Sequence, residues 1–147
     1  MRMVTAFAAA GVAASFIIGV ASAQQNPIEA RKALMKANGR EATLVTKMVK
    51  GEEPYDAAKV RAAFDQWEKT AKTIGAYFPE NSKDGDTRAL PAIWTHKAEF
   101  ERHLAKFGKD VEEQKAKATT NLDGLKQAMA VVGKDCADCH KEFRKPQ

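Results

Sequence analysis

The chain has 147 residues, of which 44% are hydrophobic and 29% charged, so it is long enough for one domain with a modest core. Its formal net charge of +5 gives no indication of nucleic-acid binding and only weakly favours acidic protein partners. Both cysteines, Cys136 and Cys139, lie in one short motif, which excludes a structural disulfide framework within a monomer.

Residues 1–23 have the order of a secretory signal. Arg2 is the only charge, an apolar stretch follows, and the segment ends on Ala21-Ser22-Ala23. The alternative is an uncleaved membrane anchor, because the apolar stretch is nearly long enough to span a bilayer. The small-residue site before Gln24 and the polar residues after it favour cleavage. We therefore expect a signal peptide over 1–23, export to the periplasm, and a domain over 24–147 that has no further membrane span.

From residue 27 onward, apolar residues recur at helical spacing and no segment alternates as a strand does. Pro27 suits a first helical turn, Gly51 a helix end and Asp56 an N-cap. Residues 75–90 are rich in turn formers and are predicted to be irregular. These patterns predict four helices, at residues 27–50, 56–74, 91–118 and 122–143.

The apolar stripe of the fourth helix includes both cysteines. It runs at three- and four-residue steps through Leu122, Leu125, Met129, Val132, Cys136, Cys139 and Phe143. Four amphipathic helices with fairly short connections predict an all-α fold, an antiparallel up-down-up-down four-helix bundle. A group attached to these cysteines would lie in the bundle core.

The motif Cys136-Ala137-Asp138-Cys139-His140 is the attachment signature of a c-type haem. The two thiols would form thioether bonds to one covalent haem c, and His140 would ligate its iron. One alternative is a zinc site that adds the only other histidines, His96 and His103, to the cysteines. Another is a thioredoxin-like dithiol, although its motif should open a helix after a strand.

The second iron ligand is predicted from bundle topology. In this topology the first and fourth helices are antiparallel neighbours, so the start of the first lies beside His140. Met35 is at that level, whereas Met48 lies about 20 Å further along and Met129 shares a helix with His140. A Met ligand would favour electron transfer. The alternative is that Met35 only packs over an open haem face.

Two arginines flank these predicted ligands. Arg31 is one helical turn before Met35, and Arg144 is one turn after His140. Haem propionates need counter-charges, and arginine can give them paired hydrogen bonds. Both are candidate cofactor-binding residues, with solvated surface charges as the alternative.

The chain resembles the class II c-type cytochromes, the cytochrome c-prime family. The likeness is carried by residues 31–36, 49–52, 54–58, 78–79, 90–94 and 136–144. It implies that Cys136 and Cys139 are the thioether cysteines, that His140 is the proximal ligand and Arg144 the arginine beside it, and that Arg31 is a haem-edge arginine. Met35 falls on the distal position. Some members bind a methionine there and are low-spin, and others leave the iron five-coordinate and bind nitric oxide or carbon monoxide.

The sequence is most similar to the low-spin, cytochrome c-556 type. We therefore expect a periplasmic one-electron carrier, not an enzyme, with His140 and Met35 as iron ligands and redox proteins as partners. The alternatives are a five-coordinate protein that binds nitric oxide or carbon monoxide, and a haem-free helical interaction module. A homodimer is a further expectation, because many family members pair through their first two helices.

Overall fold

The computed structural model describes residues 26–146, and the predicted signal peptide over 1–23 lies outside this range. Within it the chain forms five α-helices, α1 (Pro27–Lys50), α2 (Ala57–Thr73), α3 (Ala92–Thr95), α4 (Lys97–Ala118) and α5 (Leu122–Phe143). Two 3₁₀ turns, Ile74–Tyr77 and Glu80–Ser82, interrupt the connection after α2. None of the described helices has the length and apolar content that crossing a membrane requires.

Side-chain caps begin three of the four long helices, α1, α2 and α5. The Asn26 side chain accepts hydrogen bonds from the amides of Ile28 and Glu29, which begins α1. Asp56 Oδ1 accepts from Ala58 N at 2.9 Å and from Lys59 N, as predicted from the sequence. Asn121 Oδ1 accepts from Gly124 N at 2.8 Å and begins α5. Short polar side chains thus satisfy amide donors that the first turn leaves free.

The four long helices form the predicted bundle. Helix α1 packs on α2, α2 on α4, α4 on α5, and α5 returns to α1. Their inner faces make a central core whose largest fully buried side chains are Phe64, Met48, Leu125, Val45, Val60, Val111 and Val132. The predicted all-α four-helix bundle is confirmed, and the neighbouring positions of α1 and α5 place the start of one beside the end of the other.

The predicted third helix over 91–118 is broken in the structure. The backbone at His96 leaves helical geometry, with φ −120° and ψ 47°, and separates the short α3 from α4. Trp94 Nε1 donates to the carbonyl oxygens of Phe78 and Pro79, at 3.0 and 3.2 Å. The break therefore occurs next to the residue that binds the preceding irregular segment. Helix α3 packs with that segment, whereas α4 packs in the bundle.

A second apolar cluster closes one end of the bundle. Ile93, Phe100 and Phe143 are buried in it, and Phe78 and Cys139 pack against them. The rings of Phe78 and Phe100 are 4.9 Å apart and those of Phe100 and Phe143 are 5.3 Å apart, both edge-on. Edge-to-face contacts of this kind favour a fixed arrangement. This cluster forms one wall of the cavity described next.

An ion pair between an exposed lysine and a buried carboxylate joins α4 and α5 immediately before the cysteine motif. Asp135 on α5 is 5% exposed, and its Oδ1 accepts a hydrogen bond from Lys106 on α4. Lys106 also reaches Asp110 Oδ2 at 2.5 Å. Burial raises the pKa of Asp135. The hydrogen bonds that Lys106 donates to Asp110 and Asp135 raise the pKa of Lys106. The contact fixes α5 against α4 at the level where the motif begins.

Candidate haem site

A cavity of about 460 Å³ lies between the start of α1, the irregular segment and the end of α5. Its walls are mainly apolar and aromatic, with Ile74, Phe78, Ala89, Ile93, Phe100, Leu104 and Phe143 contributing. Five of the six site residues predicted from the sequence also line it, namely Arg31, Met35, Cys139, His140 and Arg144. The sixth, Cys136, lies one turn earlier on α5. The fold thus gathers residues that are more than a hundred positions apart.

The two thiols lie in the last third of α5, far from its N-terminus. Cys139 is half-buried at the cavity, and Cys136 is exposed as a residue. Burial of their sulfur atoms nevertheless raises the pKa of each thiol to about 11. A dithiol oxidoreductase needs a thiolate with a low pKa, typically at a helix N-terminus. The thioredoxin-like alternative therefore lacks its chemical basis here.

His140 is half-buried on the same helix and faces the cavity. Its pKa is lowered, chiefly by burial and then by the positive charges of Arg144 and Arg88. Both effects favour the neutral imidazole. That is the form in which histidine binds a metal.

Met35 lines the cavity from α1 and is 36% exposed. It is the one large hydrophobic side chain that is exposed among residues 26–146. Met48, in contrast, is 1% exposed in the central core, and Met129 packs against that core. Of the three methionines that the structure describes, only Met35 therefore offers its thioether to the cavity.

Arg31 is buried and bound within the protein, which sequence reasoning missed. It is 4% exposed. Its Nη1 donates to Tyr77 O and Ser82 Oγ, and its Nη2 donates to Ser82 O and Thr87 Oγ1. Two of these acceptors are backbone carbonyls, which leave no mark on the sequence. Arg31 therefore lines the cavity, but its guanidinium mainly holds the irregular segment.

Arg88 is a further cation at the cavity that sequence reasoning did not identify, since it lies in the irregular stretch. A short antiparallel contact pairs Ala89 with Arg144. Leu90 N donates to Phe143 O at 3.0 Å, and Lys145 N donates to Arg88 O at 2.8 Å. This contact sets Arg88 and Arg144 beside each other, just beyond the end of α5.

These two arginines and Lys36 line the cavity, and none has a carboxylate partner within residues 26–146. Lys32 also lines it but pairs with Glu29 and Asp86. Unpaired cations at the rim of an apolar cavity suit a ligand that carries carboxylates.

The zinc alternative is wrong in its choice of ligands. His103 Nε2 lies 3.5 Å from Glu142 Oε2, and its neighbouring candidate ligand is Glu99. His96 is exposed at the break between α3 and α4. Within residues 26–146 no cluster of three metal-ligating side chains includes a cysteine. His96, His103 and the two cysteines of α5 therefore do not form a common tetrahedral site.

The residues present fit a covalently attached haem. The cavity has a volume in the range of small-molecule and cofactor sites, and its walls are apolar as such sites require. It offers a thiol, a neutral imidazole beside that thiol, a thioether from another helix and unpaired cations. A large apolar group in the cavity would also cover the exposed Met35 side chain.

Comparisons with known proteins agree with this fit. The profile of the family described as Cytochrome C' matches residues 26–144. A cytochrome c-556 of Rhodopseudomonas palustris is 39% identical in an alignment of 127 residues, and the match covers 83% of this chain and 85% of that protein. A cytochrome c' of the same organism is 36% identical over 134 residues, 86% of each chain.

Solved structures give the same result. A structure of oxidised cytochrome c556 from R. palustris is 37% identical, with a TM-score of 0.76, and the match covers 84% of this chain and 99% of that one. A structure of cytochrome c' from the same organism is 33% identical, with a TM-score of 0.80 and the same coverage. This chain therefore belongs to the cytochrome C' family of electron-carrying proteins with a covalently bound c-type haem.

Proposed function

We propose that the protein is a low-spin electron carrier of the periplasm, with Cys136 and Cys139 as the thioether cysteines, His140 as the proximal ligand and Met35 as the distal ligand. The observation that supports it most is the placement of Met35. An exposed thioether on α1 and the half-buried imidazole of His140 on α5 line one cavity. The similar cytochromes named c-556 favour the same assignment.

The haem supplies a centre that accepts and releases one electron. The chain's own residues control access to it and its environment. His140 is kept neutral for ligation, and the thioether of Met35 would raise the reduction potential. Phe78, Phe100 and their aromatic neighbours exclude water from the cavity, which strengthens every electrostatic interaction inside it. Arg88 and Arg144 stand beside His140 as counter-charges for the haem carboxylates.

The alternative function is that of a five-coordinate protein that binds nitric oxide or carbon monoxide. Among similar structures, a nitric oxide complex of a cytochrome c prime variant from Alcaligenes xylosoxidans is 28% identical, with a TM-score of 0.72. The two functions differ in whether Met35 stays on the iron.

The absorption spectrum of the purified haem protein distinguishes the two functions. We expect the ferrous form to be low-spin and six-coordinate and to bind carbon monoxide slowly, because the gas must first displace Met35. A high-spin ferrous spectrum with rapid carbon monoxide binding would instead identify the gas-binding alternative and remove Met35 as a ligand.

Location and partners belong to the same proposal. Export rests on the signal sequence over 1–23, and N-terminal sequencing of the mature protein should begin at Gln24; a chain that keeps Met1 would contradict cleavage.

The formal net charge of +5 and the cation Lys36 at the cavity favour redox partners with an acidic surface. Electron transfer to such partners should slow as salt is added; rates independent of salt would contradict this.

A further inference from the structure

We propose that Arg31 is a positioning residue that holds segment 77–87 against α1 and thereby keeps the Met35 side of the haem cavity closed. The proposal rests on the proposed function, in that Met35 is taken as the distal ligand. It gives Arg31 a role other than that of a counter-charge at the haem edge. The argument depends on four hydrogen bonds, on the weakness of the segment that they hold, and on the place of Arg31 on α1.

The guanidinium of Arg31 is almost fully engaged. Its two Nη groups carry four hydrogens, and each is used in a bond of 2.8 to 2.9 Å to segment 77–87. The Arg31 Cζ atom also lies 4.8 Å from the ring centroid of Phe78. Only the Nε–H is without a partner among the described residues, so one donor remains for a haem carboxylate. Four directed hydrogen bonds thus join one guanidinium to one segment, and we call this arrangement the clamp.

Segment 77–87 has little support of its own. Most of its residues between 79 and 86 are exposed, and its only regular structure is the 3₁₀ turn Glu80–Ser82. Its own amide bonds span two or three residues, as from Ser82 N to Pro79 O. The other tie to α1 in this region is the exposed ion pair of Lys32 and Asp86, and such pairs contribute little. The bonds from Trp94 Nε1 hold residues 78 and 79 to α3. The bonds from Arg31 therefore decide whether the rest of the segment, residues 80–87, stays against α1.

The closed segment and Met35 share one cavity. Arg31 and Met35 are four residues apart, so they lie on the same face of α1. Phe78 and Thr87 line the cavity together with Met35. When the segment is held, it confines the space into which the Met35 side chain could swing away from the iron. Release of the segment lowers the fraction of protein in which Met35 is bound and admits external ligands.

The test separates the clamp from the charge of Arg31. The double variant Ser82→Ala/Thr87→Val removes two acceptors from the segment and leaves Arg31 and its charge intact. Arg31→Gln removes the guanidinium, and Arg31→Lys keeps the charge without the fork. Arg40→Gln is the matched control, since Arg40 is an exposed arginine of the same helix that does not line the cavity. All are compared as haem-loaded proteins.

Two measurements are made on each protein, namely hydrogen exchange of the amides of 77–87 and the carbon monoxide association rate of the ferrous form. We expect the double variant, Arg31→Gln and Arg31→Lys each to raise both rates by about tenfold, equivalent to about 1.4 kcal/mol. Arg40→Gln should change neither by more than about twofold, a difference of about 0.4 kcal/mol. Unchanged exchange in the double variant, or full restoration by lysine, would overturn the clamp.

The exchange measurement also distinguishes the two proposals. If the wild-type ferrous haem proves to be five-coordinate, the assignment of Met35 fails, but faster exchange of 77–87 in the double variant still supports the clamp. If the haem is six-coordinate and the double variant exchanges faster without faster carbon monoxide binding, Arg31 holds the segment but does not position Met35. That result overturns the inference and leaves the proposed function standing.

Discussion

Replacing Met35 with leucine is expected to convert the ferrous haem from six- to five-coordinate while keeping the cavity covered. Leucine has nearly the volume of methionine but no sulfur, so the change removes the ligand and retains the apolar packing. If Met35 occupies the iron for about 99% of the time, its loss should tighten carbon monoxide binding by about a hundredfold. The reduction potential should fall as well, because methionine ligation raises it. Carbon monoxide titration and a redox titration measure these changes.

Met35→Ala is the companion variant, because it removes both the sulfur and the packing. If Met35 is the ligand, leucine and alanine should both give five-coordinate haem. If Met35 only packs over an open haem face, the leucine variant should keep the wild-type spectrum and affinity, and only alanine should alter access. A wild-type spectrum in Met35→Leu therefore rejects the ligand assignment, whatever alanine does.

Gly124→Ala should destabilise the protein by at least about 2 kcal/mol, through overpacking where the start of α5 meets the end of α4. A Cβ atom at residue 124 would lie 2.2 Å from the carbonyl oxygen of Lys117, far inside contact distance. The obstructing atom belongs to the backbone of the last turn of α4, so it cannot move aside without displacing the helix. Denaturant unfolding of the haem-loaded protein, followed by far-ultraviolet circular dichroism, measures the change.

Gly133→Ala in the same helix is the matched control. No atom outside its own helix backbone lies within 4 Å of a Cβ placed there. Alanine is the better helix former by about 0.8–1.0 kcal/mol, so this variant should be more stable than the wild type. Equal effects of the two substitutions would show that helix propensity, not the close approach at Gly124, determines the result.

The sequence was sufficient where local chemistry decides the structure. Asp56 caps α2 because its carboxylate is two and three residues from the amides that it binds. The apolar residues of α5 recur at three- and four-residue steps, which is the period of a helix, so this helix was predicted correctly. The level of Met35 was predicted from topology alone, and Met35 and His140 both line the cavity.

The missed features all depend on backbone atoms from distant parts of the chain. The break at His96 accompanies bonds from Trp94 to the carbonyl oxygens of residues 78 and 79. The partners of Arg31 include the carbonyl oxygens of Tyr77 and Ser82. Every residue has a carbonyl group, so composition and spacing do not reveal which of them an arginine or an indole will bind. For Arg31 the available signal was a cation on the face of α1 that also carries Met35, and a haem carboxylate accounted for it equally well.

The short contact between residues 88–90 and 143–145 also bears on the order of folding. It joins positions more than fifty residues apart, as in the bond from Arg88 Nη2 to Lys145 O. Helices form from local contacts, whereas a distant pairing must first close a long loop. We therefore expect α1, α2 and α4 to be helical before the end of α5 is fastened. During that interval the C-terminal part of α5, which carries Cys136 and Cys139, remains accessible to a porphyrin. Pairing of residues 143–145 with residues 88–90 then encloses the porphyrin.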